Sequence, residues 1–219
     1  MLELDHLVIA ATDLDTGEAW LSERLGVPLV PGGQHVGWGT HNRLLGLGGG
    51  TYLELIATDP SQPDPATPRP FMLDDPAMRK RLRRAPRLVH WLARSDDLDA
   101  DIRRLKYLPG PAMPMTRGAL RWRITVPTGG HPPGDGLLPT VIQWDVPAAQ
   151  RPGLRLPDAG VRLAGLAVRG PRAIVERRPA VSAPVPIEWI EAADPDAPGW
   201  LRATFETPRG EVVIGDEDD

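Results

Sequence analysis

The 219-residue sequence has no cysteine, which excludes disulfide frameworks, thiolate metal sites and a cysteine nucleophile. Any metal must then be held by His, Asp, Glu or weaker oxygen ligands. No uninterrupted apolar run approaches the roughly eighteen residues of a membrane-spanning helix, and the start Met1-Leu2-Glu3-Leu4-Asp5 has no basic, signal-like region. An excess of positive charge is missing too. Twenty-five Lys and Arg face 29 Asp and Glu, a net charge of −4, which argues against nucleic acid as the main partner. These absences lead us to expect a cytoplasmic protein with no membrane partner.

The sequence contains an internal repeat. His6-Leu-Val-Ile-Ala-Ala-Thr-Asp13-Leu14-Asp15 returns 84 residues later as His90-Trp-Leu-Ala-Arg-Ser-Asp-Asp97-Leu98-Asp99. Each copy has a histidine at the start of an apolar run and an Asp-Leu-Asp where a helix would begin, so two copies of one supersecondary unit are expected. In the first, residues 3–10 alternate as a strand with His6, Val8 and Ala10 on one face. Thr12 and Asp13 supply N-cap chemistry, Trp20, Leu21 and Leu25 an apolar stripe, and Gly26 a stop. Glycines between 32 and 50 suggest short strands and tight turns, and Tyr52 to Ala57 reads as a strand with Tyr52, Glu54 and Ile56 on one face. The unit is β-α-β-β-β.

A proline-rich linker over 58–72 and a short basic helix over 75–85 lead into the second copy. Leu88, His90 and Leu92 are expected on one strand face, followed by a helix with Leu98, Ile102 and Leu105. Residues 118–126 form a strand with Arg121, Arg123 and Thr125 opposite Leu120, Trp122 and Ile124. Residues 127–139 read as a mobile loop, and the closing strand 141–145 puts Val141, Gln143 and Asp145 on one face. A shorter segment from Val161 has the element count of a degenerate third copy without the histidine, expected to cover the sheet. The expected organisation is α+β, with units at 1–75, 76–150 and 151–219. The last unit ends in a hairpin around 207–210 and an acidic tail, Asp216 to Asp219.

If the repeats face each other, His6, Glu54 and His90 supply two imidazoles and a carboxylate, a donor set suited to Zn²⁺, Fe²⁺, Mn²⁺ or Ni²⁺. Each histidine reads equally well as a hydrogen-bonded core residue, and Glu54 as the partner of an arginine. Among Trp38, Trp91, Trp122 and Trp144, one or two on the cleft side would favour a planar organic ligand. His41 beside Asn42 is a candidate substrate contact, as are Arg121 and Arg123 for a carboxylate; His35 reads as a turn or edge residue.

Taken together, Asp5-His6-Leu-Val-Ile-Ala10, Gly39-Thr-His-Asn42, Tyr52-Leu-Glu-Leu-Ile56 and Ile142-Gln-Trp144 resemble the glyoxalase-like branch of the vicinal oxygen chelate superfamily. The resemblance spans residues 3–146 and, more weakly, 160–215. It implies tandem βαβββ modules forming a cup-shaped mixed sheet with helices outside, and a divalent metal at slots matched by His6, Glu54, His90 and Gln143. Gln143 stands where glyoxalase I enzymes have a carboxylate. The implied activity is that of a metal-dependent lyase, isomerase or dioxygenase acting on a small oxygenated molecule. Glu54 would be ligand and base, with Gln143, His41, Asn42, Arg123 and Trp122 lining the substrate site. The contrasting implication is a metal-free, bleomycin-resistance type binding protein. A homodimer is compatible with either.

Overall fold

In the computed structural model, residues 1–215 are described; the acidic tail read from the sequence lies outside them. The first unit consists of β1 (Leu2–Ala10), α1 (Leu14–Leu25), β2 (Val30–His35), β3 (Thr40–Gly46) and β4 (Tyr52–Thr58). After α2 (Pro76–Leu82) the second follows as β5 (Arg87–Arg94), α3 (Leu98–Ile102), β6 (Ala112–Arg117), β7 (Leu120–Thr125) and β8 (Thr140–Trp144). The remainder comprises α4 (Pro152–Arg155), β9 (Arg162–Gly170), α5 (Arg172–Val175), β10 (Val181–Ser182), β11 (Ile187–Glu191), β12 (Trp200–Thr207) and β13 (Gly210–Gly215). The repeated Asp-Leu-Asp does the same work twice. Asp13 accepts the Thr16 N–H at 2.8 Å and Asp97 the Ala100 N–H at 3.0 Å, each capping the helix that leaves the first strand.

The two units share one sheet of order β2-β3-β4-β1-β5-β8-β7-β6, in which β1 and β5 run antiparallel at the centre. The sheet curls until its ends approach, with Arg117 at the end of β6 reaching Asn42 on β3. Its concave side is a cup. Against its convex side pack α1 and a second sheet of order β11-β9-β12-β13, around Leu7, Leu53, Leu55, Trp91, Val168 and Phe205. The C-terminal strands cover the sheet as expected, but their order differs from that within either βαβββ unit.

The central pair carries a register shift in each strand, between Leu4 and His6 on β1 and between Leu88 and His90 on β5. The extra residues are Asp5 and Val89, which are 84 apart like the histidines that follow them. The bulge is thus part of the repeat. A bulge breaks the period of two, so the shift beside Val89 separates Leu88 from His90 and Leu92. Leu88 packs in the convex core and Leu92 lines the cup, which corrects the expectation of one shared face. The second half of the segment 127–139 packs against β5. Pro132, Pro133, Leu137 and Leu138 are buried, and its carbonyls hold the β5 side chains.

Candidate functional site

The cup and the solvent at its open mouth together span about 850 Å³. Its walls are apolar, with Trp122, Trp144, Phe71, Leu92, Ile142 and Met115 among the lining residues. Trp122 and Trp144 lie 5.5 Å apart with their planes at 44°. The polar groups come chiefly from the first unit: His6, His35, Asn42 and Glu54, joined by Arg117 from the second.

The bulge explains the most concentrated chemistry. Neighbouring strand residues normally point to opposite faces, yet Asp5 Oδ1 lies 2.6 Å from His6 Nδ1. Asp5 Oδ2 accepts the Trp144 indole N–H at 3.0 Å. On its other side His6 Nε2 is 3.4 Å from Glu54 Oε2, and the imidazole stacks on Tyr52 at 4.4 Å. Glu54 Oε1 takes a 2.5 Å hydrogen bond from Asn42 Nδ2, and His35 Nε2 lies 3.9 Å away. Burial alone would strip His6 of its proton, but hydrogen bonds and charge from Asp5 and Glu54 outweigh it and raise its pKa to about 9. Burial likewise opposes the Glu54 charge, yet His6, His35 and Asn42 bring its pKa down to about 2. Burial pushes the His35 pKa down, so it stays neutral.

His90 is held differently. It is fully buried, its Nδ1 3.0 Å from the Gly136 carbonyl. The Thr140 N–H donates to its Nε2 at 3.2 Å, with Thr140 Oγ1 at 2.8 Å. This network defines a neutral ring protonated on Nδ1, and burial lowers its pKa to about 3. Titrating the imidazoles by heteronuclear NMR is expected to show His6 losing its proton near pH 9 while His90 stays neutral down to about pH 3. A His6 titration near the ordinary 6.5 would contradict the placement between two carboxylates.

Of the residues expected at the site, His6, Glu54, Asn42 and Trp122 line one cavity. The others do not join them. The Nε2 lone pair a metal would need from His90 is engaged by Thr140. Gln143 points away from the cup: its Oε1 accepts the Leu98 N–H at 2.8 Å and its Nε2 donates to Asp145. The cup-facing residues of β8 are Thr140, Ile142 and Trp144. Because Val8 pairs with Glu54 and Leu92 with Thr140, the counterpart of Glu54 is Thr140, a hydroxyl already bound to His90. His41 also lies outside the cup, 3.9 Å from Asp59. Arg123 is on the outer face, with Asp99 at 3.3 Å and Asp145 at 3.7 Å. Among the described residues no group of three or more His, Asp and Glu is arranged to hold a metal ion. The four-slot ligand set implied by the sequence does not fit the residues that occupy those places.

Sequence reasoning missed three groups in or bordering this cluster: Asp5, because the bulge turns it inward; His35, on a strand without alternation; and Arg117, on the unanticipated β6. A family model described as a glyoxalase-like domain matches residues 4–181. No functionally curated protein matches the sequence. A hypothetical protein from Staphylococcus aureus shares the fold at a TM-score of 0.50 and 15% identity, covering 77% of this chain and 69% of that one. Methylmalonyl-CoA epimerase from Mycobacterium tuberculosis aligns with 22% identity over 65% of this chain and 86% of its own, at a TM-score of 0.37. A methylmalonyl-CoA epimerase in complex with methylmalonyl-CoA and NH4+ aligns with 19% identity over 66% of this chain and 94% of its own, at 0.39.

Proposed function

The chain belongs to the glyoxalase-like domain family of the vicinal oxygen chelate superfamily, and from that premise we propose that its cup binds a small organic molecule without a metal at the four family slots. The carrying observation is the concentration of polar groups at one part of an otherwise apolar cavity. Such a cavity fixes a ligand by shape and desolvation and orients it by a few polar groups. The apolar body of the ligand lies against Trp122, Trp144 and Phe71. Its oxygen-bearing end faces the polar part of the cup formed by His6, Asn42, Glu54 and Arg117.

The pKa values favour recognition over proton abstraction. A carboxylate held near 2 is a weak base at neutral pH, and an imidazolium near 9 gives up its proton reluctantly. The pair acts as a fixed dipole that selects ligand oxygens. This supports the sequestering role, and it moves Glu54 from catalytic base to anchor.

2-Naphthol is a suitable neutral probe. It is expected to quench tryptophan fluorescence saturably, with affinity unchanged by EDTA and about tenfold weaker in Trp122→Ala. Binding that vanishes with EDTA and returns with Zn²⁺ would overturn the metal-free reading. Quenching that survives unchanged in Trp122→Ala would place the ligand outside the cup.

A further inference from the structure

Arg117 is the one cationic side chain of the cup that the acid–base cluster does not account for. It is half-buried and lies where the two ends of the curled sheet approach. Its Nη1 donates to Asn42 Oδ1 at 3.0 Å, an oxygen that also accepts the Gly33 N–H at 3.0 Å. Its stem crosses Gly33 so closely that a Cβ there would sit 2.8 Å from Arg117 Cδ. The backbone at Gly33 and the amide of Asn42 therefore fix the guanidinium in place.

A guanidinium in such a place normally has an anion. Three other arginines follow it: Arg43 pairs with Asp15 and Glu18, Arg69 with Asp64 and Asp74, and Arg94 with Glu3. Among the described residues, Arg117 has no carboxylate within 4 Å, although it lines the cavity. The cup's own carboxylates are engaged: Asp5 by His6 and Trp144, Glu54 by His6 and Asn42. Glu54, His6 and Arg117 line the cavity, with Asp5 behind His6, so an anion enters without meeting a net negative lining.

We propose that the ligand carries a carboxylate that pairs with the Arg117 guanidinium, while its flat apolar body lies against Trp122 and Trp144. This rests on the cup being the binding site and adds the chemical class of the ligand. The planar fork of arginine matches a carboxylate with two parallel N–H···O bonds, which a lysine ammonium does not reproduce. The ligand class is an aromatic or similarly planar carboxylic acid.

Isothermal titration of the full chain at pH 7.5 with 2-naphthoate and its neutral isostere 2-naphthamide tests this. The wild type is expected to prefer the carboxylate by ~10-fold or more. Arg117→Gln should bring the two within about twofold by weakening only the carboxylate, and Arg117→Lys should keep part of the preference. Equal affinities in the wild type, or a preference that persists in Arg117→Gln, overturns the proposal and leaves the cup reading standing. If neither these probes nor 2-naphthol bind, both readings fall. Circular dichroism establishes that each variant is folded. If Arg117→Gln is not, the wild-type comparison and Arg117→Lys decide, with equal affinities in the wild type overturning the proposal.

Discussion

His90→Ala is expected to lower the unfolding free energy by about 4 kcal/mol, measured by urea denaturation at pH 7. The substitution empties a fully buried volume beneath Phe71, whose ring centroid is 5.4 Å from that of His90. It also strands three polar groups, the Gly136 carbonyl and the Thr140 N–H and hydroxyl. Those partners have no room to turn elsewhere. Gly136 has φ +98°, and a Cβ there would come within 2.4 Å of the Val89 carbonyl. The effect has a pH signature. The folded-state pKa is depressed to about 3 from 6.5, so the unfolded chain binds the extra proton first. His90 therefore destabilises the wild type progressively as pH falls from 6.5 toward 3. A loss below about 1 kcal/mol for His90→Ala, with unchanged acid sensitivity, would mean that His90 is not a structural histidine.

Asp5→Ala should cost about 3–5 kcal/mol near pH 6, because it leaves a buried imidazolium with one counter-charge and the Trp144 N–H without its acceptor. Here the sign is the reverse of that for His90. The His6 pKa is raised to about 9, so its contribution is fully present below its unfolded value of 6.5 and is lost as pH rises through 9. The gap between wild type and Asp5→Ala should therefore narrow between pH 6 and pH 10. A gap of constant size across that range would show that Asp5 does not sustain the charge on His6. Glu54 adds the opposite limb: its stabilisation is complete above 4.5 and fades as pH falls through about 2.

The parts of this fold that were legible in the sequence are those written in local chemistry. Asp13, Gly26 and Asp97 mark helix ends by side-chain and backbone requirements that neighbours alone satisfy. The repeat marks two copies of one strand–helix unit, which the structure joins through β1 and β5. What was not legible depended on partners far away in the chain. A bulge leaves no trace in the pattern of apolar residues, so strict alternation puts Leu88 on the face of His90 and gives no sign that Asp5 lies beside His6. In β8 every residue except Gln143 is buried, so no alternation distinguishes its two faces. Gln143 has the chemistry of a site residue, yet it caps α3. The fate of His90 turned on Gly136 and Thr140, 46 and 50 residues away. Arg123 looked available only because Asp99 and Asp145 come from other elements.

The curling of the first sheet also bears on how copies of this protein associate. An open sheet ends in two strands with unpaired backbone groups, and such strands recruit further strands from other molecules. Here β2 and β6, the terminal strands of the large sheet, approach each other across Arg117, which shields both from a third strand. β11 and β13 are the end strands of the smaller sheet. They carry Glu188 and Glu191 on one and Glu211 on the other, all exposed. Repulsion between like charges opposes the joining of two such edges, so self-association through strand addition is discouraged by geometry in one sheet and by charge in the other.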